Sequence, residues 1–515
     1  MIALSGEISK KYDENSSVAK DLNKVAGALA KKDATLWGAA AQSEAAVRLN
    51  WIDLPTSSRE LLPELDALSA WTRANNLTNF ILCGMGGSSL APEVMAKSFY
   101  KKLTILDTTD PGQISAAIPA NPENTLVIVG SKSGSTTETA SQKALFERIF
   151  IDAGLDPIEH FVIITDPGSP LDKSSRASGY KVINADPNVG GRFSALSAFG
   201  LVPAALIGID VSVLLDDADL ASSTFSQINS PAIQLATLLF EQCEQNFAIT
   251  DESSSVIGLG DWIEQLVAES TGKDRRGRLP IVIESAGAKV SGSALKIGLA
   301  DGVAELNVTA TLGEHFILWE WVTALLCRAL KVDPFNQPNV TEAKERTGEL
   351  LEKWGASGVA KNTAKFSEAN FEVYSSGSSE NLAQAIAGLI NPKTKYLAVM
   401  AYLDRNSDSQ ILEIRNLLAH KFDIGVTFGW GPRFLHSTGQ FHKGGAQNGA
   451  FLQITGESKI DLAIPDKEFT FQTLLMAQAL GDATAIESRD LPLARIHLKD
   501  RKAGIAEVLA QIKKL

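Results

Sequence analysis

The chain has 515 residues, 44% of them hydrophobic and 21% charged, with a formal net charge of −12. That length suits roughly two to four domains with substantial cores, and the acidic balance argues against nucleic acid or an anionic membrane as partner. Three cysteines, Cys83, Cys243 and Cys327, are odd in number and widely spaced, so neither a disulfide framework nor a zinc site is expected.

Residues 1–75 are expected to be a helical N-terminal segment. Helical spacing runs over 21–30 and 35–46, with Trp37, Trp51 and Trp71 as packing anchors. Residues 76–215 read as an α/β domain, with strands near 79–83, 103–106, 125–129, 161–165 and 180–183 and helices near 89–99, 137–149 and 194–207. Short apolar strands separated by helices predict a parallel sheet covered on both faces. Ligands of such sheets sit at the carboxyl ends of the strands. A polar stretch at 216–230 reads as a linker.

Residues 230–350 read as a second α/β domain. It has helices at 231–247, 261–270 and 314–330 and a strand at 279–284. The Ser-, Asn- and Glu-rich segment 355–381 reads as a connection. The remainder, 380–515, reads as a further α/β portion, with strands near 396–402, 424–428, 450–454 and 493–498 and helices at 409–420 and 471–480. The first residues lack the apolar core of a signal peptide, and no apolar run has transmembrane length, so a cytoplasmic location without membrane contact is expected.

The most informative run is SKSGSTTET at 131–139, between the apolar run 126–130 and the expected helix. Hydroxyls and free backbone N–H groups at the positive end of a helix suit a phosphate. The run lacks the Gly-Lys-Ser/Thr ending of a nucleotide P-loop, so a small phosphorylated metabolite fits better than ATP. A turn that only caps its helix explains the same residues equally well. GMGGSS at 84–89 also follows an expected strand, and its glycines allow backbone close to a ligand. In VGGRFS at 189–194, Arg192 supplies a permanent planar cation that could hold an enediolate oxygen or a phosphate, or simply bind a carboxylate at a helix start. In WIEQLVAESTGK at 262–273, Glu269 ends an apolar helix, where a carboxylate can serve as a base, although by pattern alone a surface glutamate is the plainer reading. DPFNQPNVTEAK at 333–344 places Lys344 in a helix, and by pattern alone a solvated lysine suffices.

These five motifs, taken in chain order from GMGGSS to DPFNQPNVTEAK, resemble the phosphoglucose isomerase family. The segment 429–440 is similar to the isomerase half of bifunctional transaldolase–phosphoglucose isomerases, although no transaldolase half is present. The resemblance implies two doubly wound parallel sheets of sugar-isomerase, flavodoxin-like type, and interconversion of glucose 6-phosphate and fructose 6-phosphate through a cis-enediolate. It implies Glu269 as the base, Arg192 as the stabiliser of the enediolate and Lys344 as a contact during ring opening. Ser131, Lys132, Ser133 and Thr136 match the phosphate turn, with Lys132 acting through its backbone N–H. Ser88 matches the first glycine loop, and Gly87, Glu138 and Gly191 complete the expected substrate contacts.

No metal or organic cofactor is implied, and the family is commonly homodimeric. Alternatives are a dual phosphoglucose/phosphomannose isomerase and a non-catalytic phosphosugar sensor. Two departures stand out. No histidine lies between Glu269 and His315, so His436 or His442 is expected to open the sugar ring. About 170 residues also follow Lys344, where ordinary members end near this lysine.

Overall fold

The computed structural model describes residues 2–292, 294–359 and 363–515, in a mixed α/β arrangement of three sheets. Strand β1 (Ala3–Ser5) comes first, followed by the helices Ser17–Leu29 and Leu62–Ala74. The helix expected at 35–46 is instead a 3-10 turn, Ala34–Trp37, and a single turn, Gln42–Ala45. Gly38 at φ +92° interrupts it, a conformation glycine adopts without penalty. Trp51 is fully buried and stacks on Phe193 with ring centroids 5.2 Å apart.

The first sheet contains β2 (Asn79–Gly84), β3 (Thr104–Leu106), β4 (Thr125–Gly130), β5 (Phe161–Thr165) and β6 (Lys181–Asn184). All are parallel, in the order β3-β2-β4-β5-β6. Gly84 pairs with Gly130. The two motif-bearing loops therefore leave adjacent strands at the same level.

The second sheet contains β7 (Asn246–Thr250), β8 (Leu279–Val282), β9 (Leu295–Gly298) and β10 (Leu306–Thr309), with β1 antiparallel on β10. The expected helix at 231–247 ends at Glu241, and β7 follows. The stretch expected as a linker lies largely in the helix Val211–Phe225, whose first turn is capped by Asp210. Its Leu214, Leu215, Ala218, Ala221 and Phe225 are buried, and its polar outer face had masked that periodicity.

The third sheet contains β11 (Phe366–Ser367), β12 (Phe371–Ser375), β13 (Tyr396–Tyr402), β14 (Gly425–Trp430), β15 (Gly449–Gly456) and β16 (Leu493–Leu498). Strands β13 to β16 are parallel in the order β14-β13-β15-β16, and β12 and β11 add an antiparallel edge beyond β16. The C-terminal portion is thus wound like the two sheets before it, and the expected connection at 355–381 supplies its edge.

One apolar core joins the N-terminal helices to the first two sheets. The third sheet has its own core. Phe471 and Leu474 of the helix Phe471–Glu487 pack with Ile81 and Val127 of the first sheet, and Tyr396 and Phe441 pack with Ala268 and Leu279 of the second. The C-terminal portion is thereby seated against both.

Candidate active site

The run 131–139 forms the turn between β4 and the helix Thr137–Asp152. Thr136 occupies the N-cap position, yet its hydroxyl makes no capping bond; it accepts the Ser131 hydroxyl at 3.1 Å instead. A helix start without a side-chain cap keeps N–H groups available for an anion, which favours the phosphate reading over the capping one. Gly134 sits at φ +68°, and a Cβ there would meet Leu171 within 2.9 Å. Ser133 accepts the Ser135 N–H and hydroxyl at 3.3 and 3.1 Å. The Lys132 ammonium donates to Asp166 at 2.6 Å and to the Pro187 carbonyl at 3.2 Å. Its charge is therefore already engaged, leaving its backbone as its contribution to the turn.

The glycine loops meet backbone to backbone. A Cβ on Gly87 would land on the Gly191 carbonyl, so contact between the two loops requires glycine at position 87. Ser88 is buried, and its Cβ lies 3.2 Å from where a Cβ on Gly130 would stand. This packing delivers Arg192 to the end of the helix Leu259–Thr271.

Arg192 is 4% exposed and every guanidinium nitrogen is used. Nε donates to Ser270 at 2.9 Å, Nη1 to Glu269 at 2.9 Å and to Gln337 at 3.2 Å, and Nη2 to the carbonyls of Pro334 and Asn336 at 2.7 and 3.2 Å. A fork fixed at five points is a preorganised positive charge that need not rearrange as negative charge develops. The second oxygen of Glu269 accepts the Gln265 amide at 3.2 Å. The same amide donates to the His436 carbonyl at 2.8 Å. Gly86 permits this crossing, since a Cβ there would stand 2.7 Å from the Gln265 nitrogen and 3.0 Å from the His436 carbonyl oxygen.

A cavity of about 240 Å³ is lined by Ser135–Glu138 of the turn, by Lys344, and by His436 and Gln478; Arg192 and Glu269 do not line it, and the Gln265 bridge to the His436 backbone connects them to it. The His436 Nε2–H donates to Glu138 at 3.0 Å, and the Gln478 amide donates to the same oxygen at 2.7 Å. Burial alone raises the Glu138 carboxyl; the His436 bond and the charges of His436 and Lys344 outweigh it and hold the group below its ordinary value. An ionised Glu138 keeps a proton on Nε2 of His436, so that Nδ1 is the acceptor whenever the ring is neutral.

His442 lies elsewhere. It is 3% exposed and stacks on Tyr396, with its Nδ1 in a 3.1 Å hydrogen bond to the tyrosine hydroxyl and Phe451 at its edge. Burial, helped by the Lys443 charge, pushes its pKa down to about 3. It packs as a core aromatic ring, outside the cavity that His436 lines. Lys443 and Arg433, on the same segment, are also committed. Lys443 pairs with Asp482 at 2.6 Å, and Arg433 with Glu93 at 2.7 Å.

The sequence model of the phosphoglucose isomerase family matches residues 61–279. That segment, less than half of the chain, is similar to phosphoglucose isomerase. It includes the first four motifs; the fifth, with Lys344, lies beyond it. A glucose-6-phosphate isomerase of Thermus thermophilus is 34% identical over 250 residues, 46% of this chain and 59% of that protein. One from Trichormus variabilis is 32% identical over 248 residues, 43% of this chain and 47% of that protein. The chain thus spans about half the length of the curated relatives it matches. Among solved structures, a glucose-6-phosphate isomerase from Chlamydia trachomatis aligns with a TM-score of 0.54 at 18% identity, covering 68% of this chain and 88% of that one. At that identity the likeness is one of fold.

Three glutamines escaped the sequence analysis. Gln265 bridges Glu269 to the His436 carbonyl, Gln337 orients Arg192, and Gln478 holds Glu138. Gln337 lay inside DPFNQPNVTEAK and was overlooked beside the charged Lys344. Gln265 sits one helical turn before Glu269, a spacing that puts both on one face. Gln478 carried no local signal, because its partner is 340 residues away.

Proposed function

We propose that the chain interconverts glucose 6-phosphate and fructose 6-phosphate through a cis-enediolate. The carrying observation is the buried Arg192–Glu269 pair, joined through Gln265 to the backbone of His436, whose ring lines a cavity with residues 135–138 of the turn and Lys344. In this reading the turn, with Ser88, Gly87 and Gly191 close by, takes the phosphate on backbone N–H and hydroxyl donors. Binding a remote phosphate orients the reacting carbons. Glu269 carries the proton between C1 and C2 on one face of the enediol. Arg192 stabilises the developing oxyanion. His436, with Nδ1 as acceptor, and the ammonium of Lys344 serve ring opening. His442 has no part in it.

These groups meet within one chain, and the resemblance implies a homodimer in which the active site is completed across subunits. Cys83, Cys243 and Cys327 are buried and unpaired, and burial pushes the thiols of Cys243 and Cys327 up to about 12. That suits a reducing cytoplasm.

The test is formation of glucose 6-phosphate from fructose 6-phosphate with EDTA present, followed through a coupled dehydrogenase. Glu269→Gln is expected to lose about 10²–10⁴ in turnover while still binding the substrate. Near-normal turnover in that variant refutes the base assignment. Binding without turnover in the unaltered chain favours the sensor.

A further inference from the structure

A second cavity, of about 520 Å³, opens where the three sheets meet and shares no lining residue with the first. Glu93 and Lys97 of the helix Leu90–Ser98, Asp261 and Glu264 of the helix Leu259–Thr271, and Phe428 and Trp430 of β14 form part of its wall. Glu264 precedes Glu269 by five residues, a rise of roughly 7.5 Å along their helix.

The cations around this cavity are already spent. Lys97 pairs with Glu93 at 3.0 Å, Arg405 with Glu93 at 3.2 Å, Arg433 with Glu93 at 2.7 Å and Asp107 at 3.3 Å, and Arg415 with Glu284 at 2.8 Å. Two of the carboxyl groups are not. Glu264 is only 8% exposed, faces the cavity, and has no hydrogen bond or ion pair among the described residues. Asp261, three residues earlier on the same face, reaches only Arg433, at 3.8 Å. Burial pushes Glu264 well above the ordinary carboxylate value; the Asp261 charge adds to this and Arg433 only partly opposes it.

A buried acid without a partner is costly unless something neutralises it. An anionic guest would meet two unspent carboxyl groups and no free cation. A metal ion finds no set of three ligating His, Cys, Asp or Glu groups among the described residues. The wall opposite is aromatic, with the Phe428 and Trp430 rings edge to face at 4.9 Å.

We propose that this cavity binds a small organic cation, an ammonium or guanidinium on a short apolar body. The charge sits between Glu264 and Asp261 and the body lies against Phe428 and Trp430, where burial of apolar surface adds to the attraction. The proposal does not depend on the isomerase reading, since it uses none of that site's residues.

Calorimetric titration of the full chain tests it, with benzylamine as probe and benzyl alcohol and phenylacetate as neutral and anionic counterparts of similar shape. Benzylamine is expected to bind with one-to-one stoichiometry, at least about tenfold more tightly than benzyl alcohol, and phenylacetate not at all. Glu264→Gln, which keeps the shape, is expected to remove that preference. Asp261→Asn, at a half-buried position that tolerates change, is expected to weaken it. The proposal is overturned if benzylamine fails to bind, if it binds no better than benzyl alcohol, or if the folded variants bind it as the unaltered chain does.

Discussion

Replacing Gln265 by Met isolates the link between the base and the loop histidine. Methionine keeps the length and volume of the side chain but removes its N–H donors. Glu269 then loses the 3.2 Å bond to its second oxygen, and the His436 carbonyl loses its 2.8 Å donor. Because Glu269 is 6% exposed, water cannot readily replace the lost donor. A hydrogen bond to a charged group contributes about 1.5–3 kcal/mol. At about 1.4 kcal/mol per decade, the expected loss in kcat is about one to two powers of ten. KM is expected to change little, because Gln265 donates to no group of the phosphate turn.

The assay is the coupled conversion of fructose 6-phosphate with EDTA, run as a pH profile. A companion variant, Gln265→Glu, sets a second carboxyl beside Glu269; a like charge disfavours ionisation, so the acid limb of kcat/KM should move to higher pH. If Gln265→Met keeps kcat within about twofold and Gln265→Glu leaves the acid limb in place, Gln265 does not position the base.

The same structure supports two further expectations. The Lys443 and Asp482 side chains are each about 1% exposed and pair at 2.6 Å, and the other Asp482 oxygen has no hydrogen-bond partner among the described residues. Lys443→Met should therefore cost about 3–5 kcal/mol of stability by urea unfolding, with most of it recovered when Asp482→Leu is added; a cost below about 1 kcal/mol would show the pair to be dispensable. His442→Phe should fold and keep turnover within about twofold, whereas His436→Phe should not keep turnover. The pH dependence separates the two roles further. The folded His442 pKa, near 3, lies below its ordinary value of 6.5, so unfolding takes up a proton between those values. Stability from this ring is complete above about pH 6.5 and falls by up to about 1.4 kcal/mol per unit as pH drops toward 3. His442→Phe should flatten that slope by one proton. His315, buried and likewise pushed down to about 3, keeps its own share.

Elements whose signal is local were legible in the chain. Each strand of the first sheet was evident as a short apolar run, because both faces are covered and no polar alternation is needed. The turn at 131–139 and the Arg192 and Glu269 motifs could be singled out because each combines an unusual residue set with a strand or helix end. Helices with a polar outer face, such as Val211–Phe225, were hidden by composition. The edge strands β11 and β12 were hidden by shortness and polarity.

Periodicity was enough for the α/β class, whereas the candidate roles of the 131–139 turn, Glu269 and Arg192 came from the order of the motifs and the family resemblance they carry. Neither could separate His436 from His442, which share one short segment and one side-chain chemistry; the fold does. One faces Glu138 across 298 residues, and the other is sealed beneath Tyr396. Tertiary packing alone also recruited Gln265, Gln337 and Gln478, and it left Glu264 without a partner. Such assignments depend on which groups meet across the sheets, because a side chain's role is set by what surrounds it once water has been excluded.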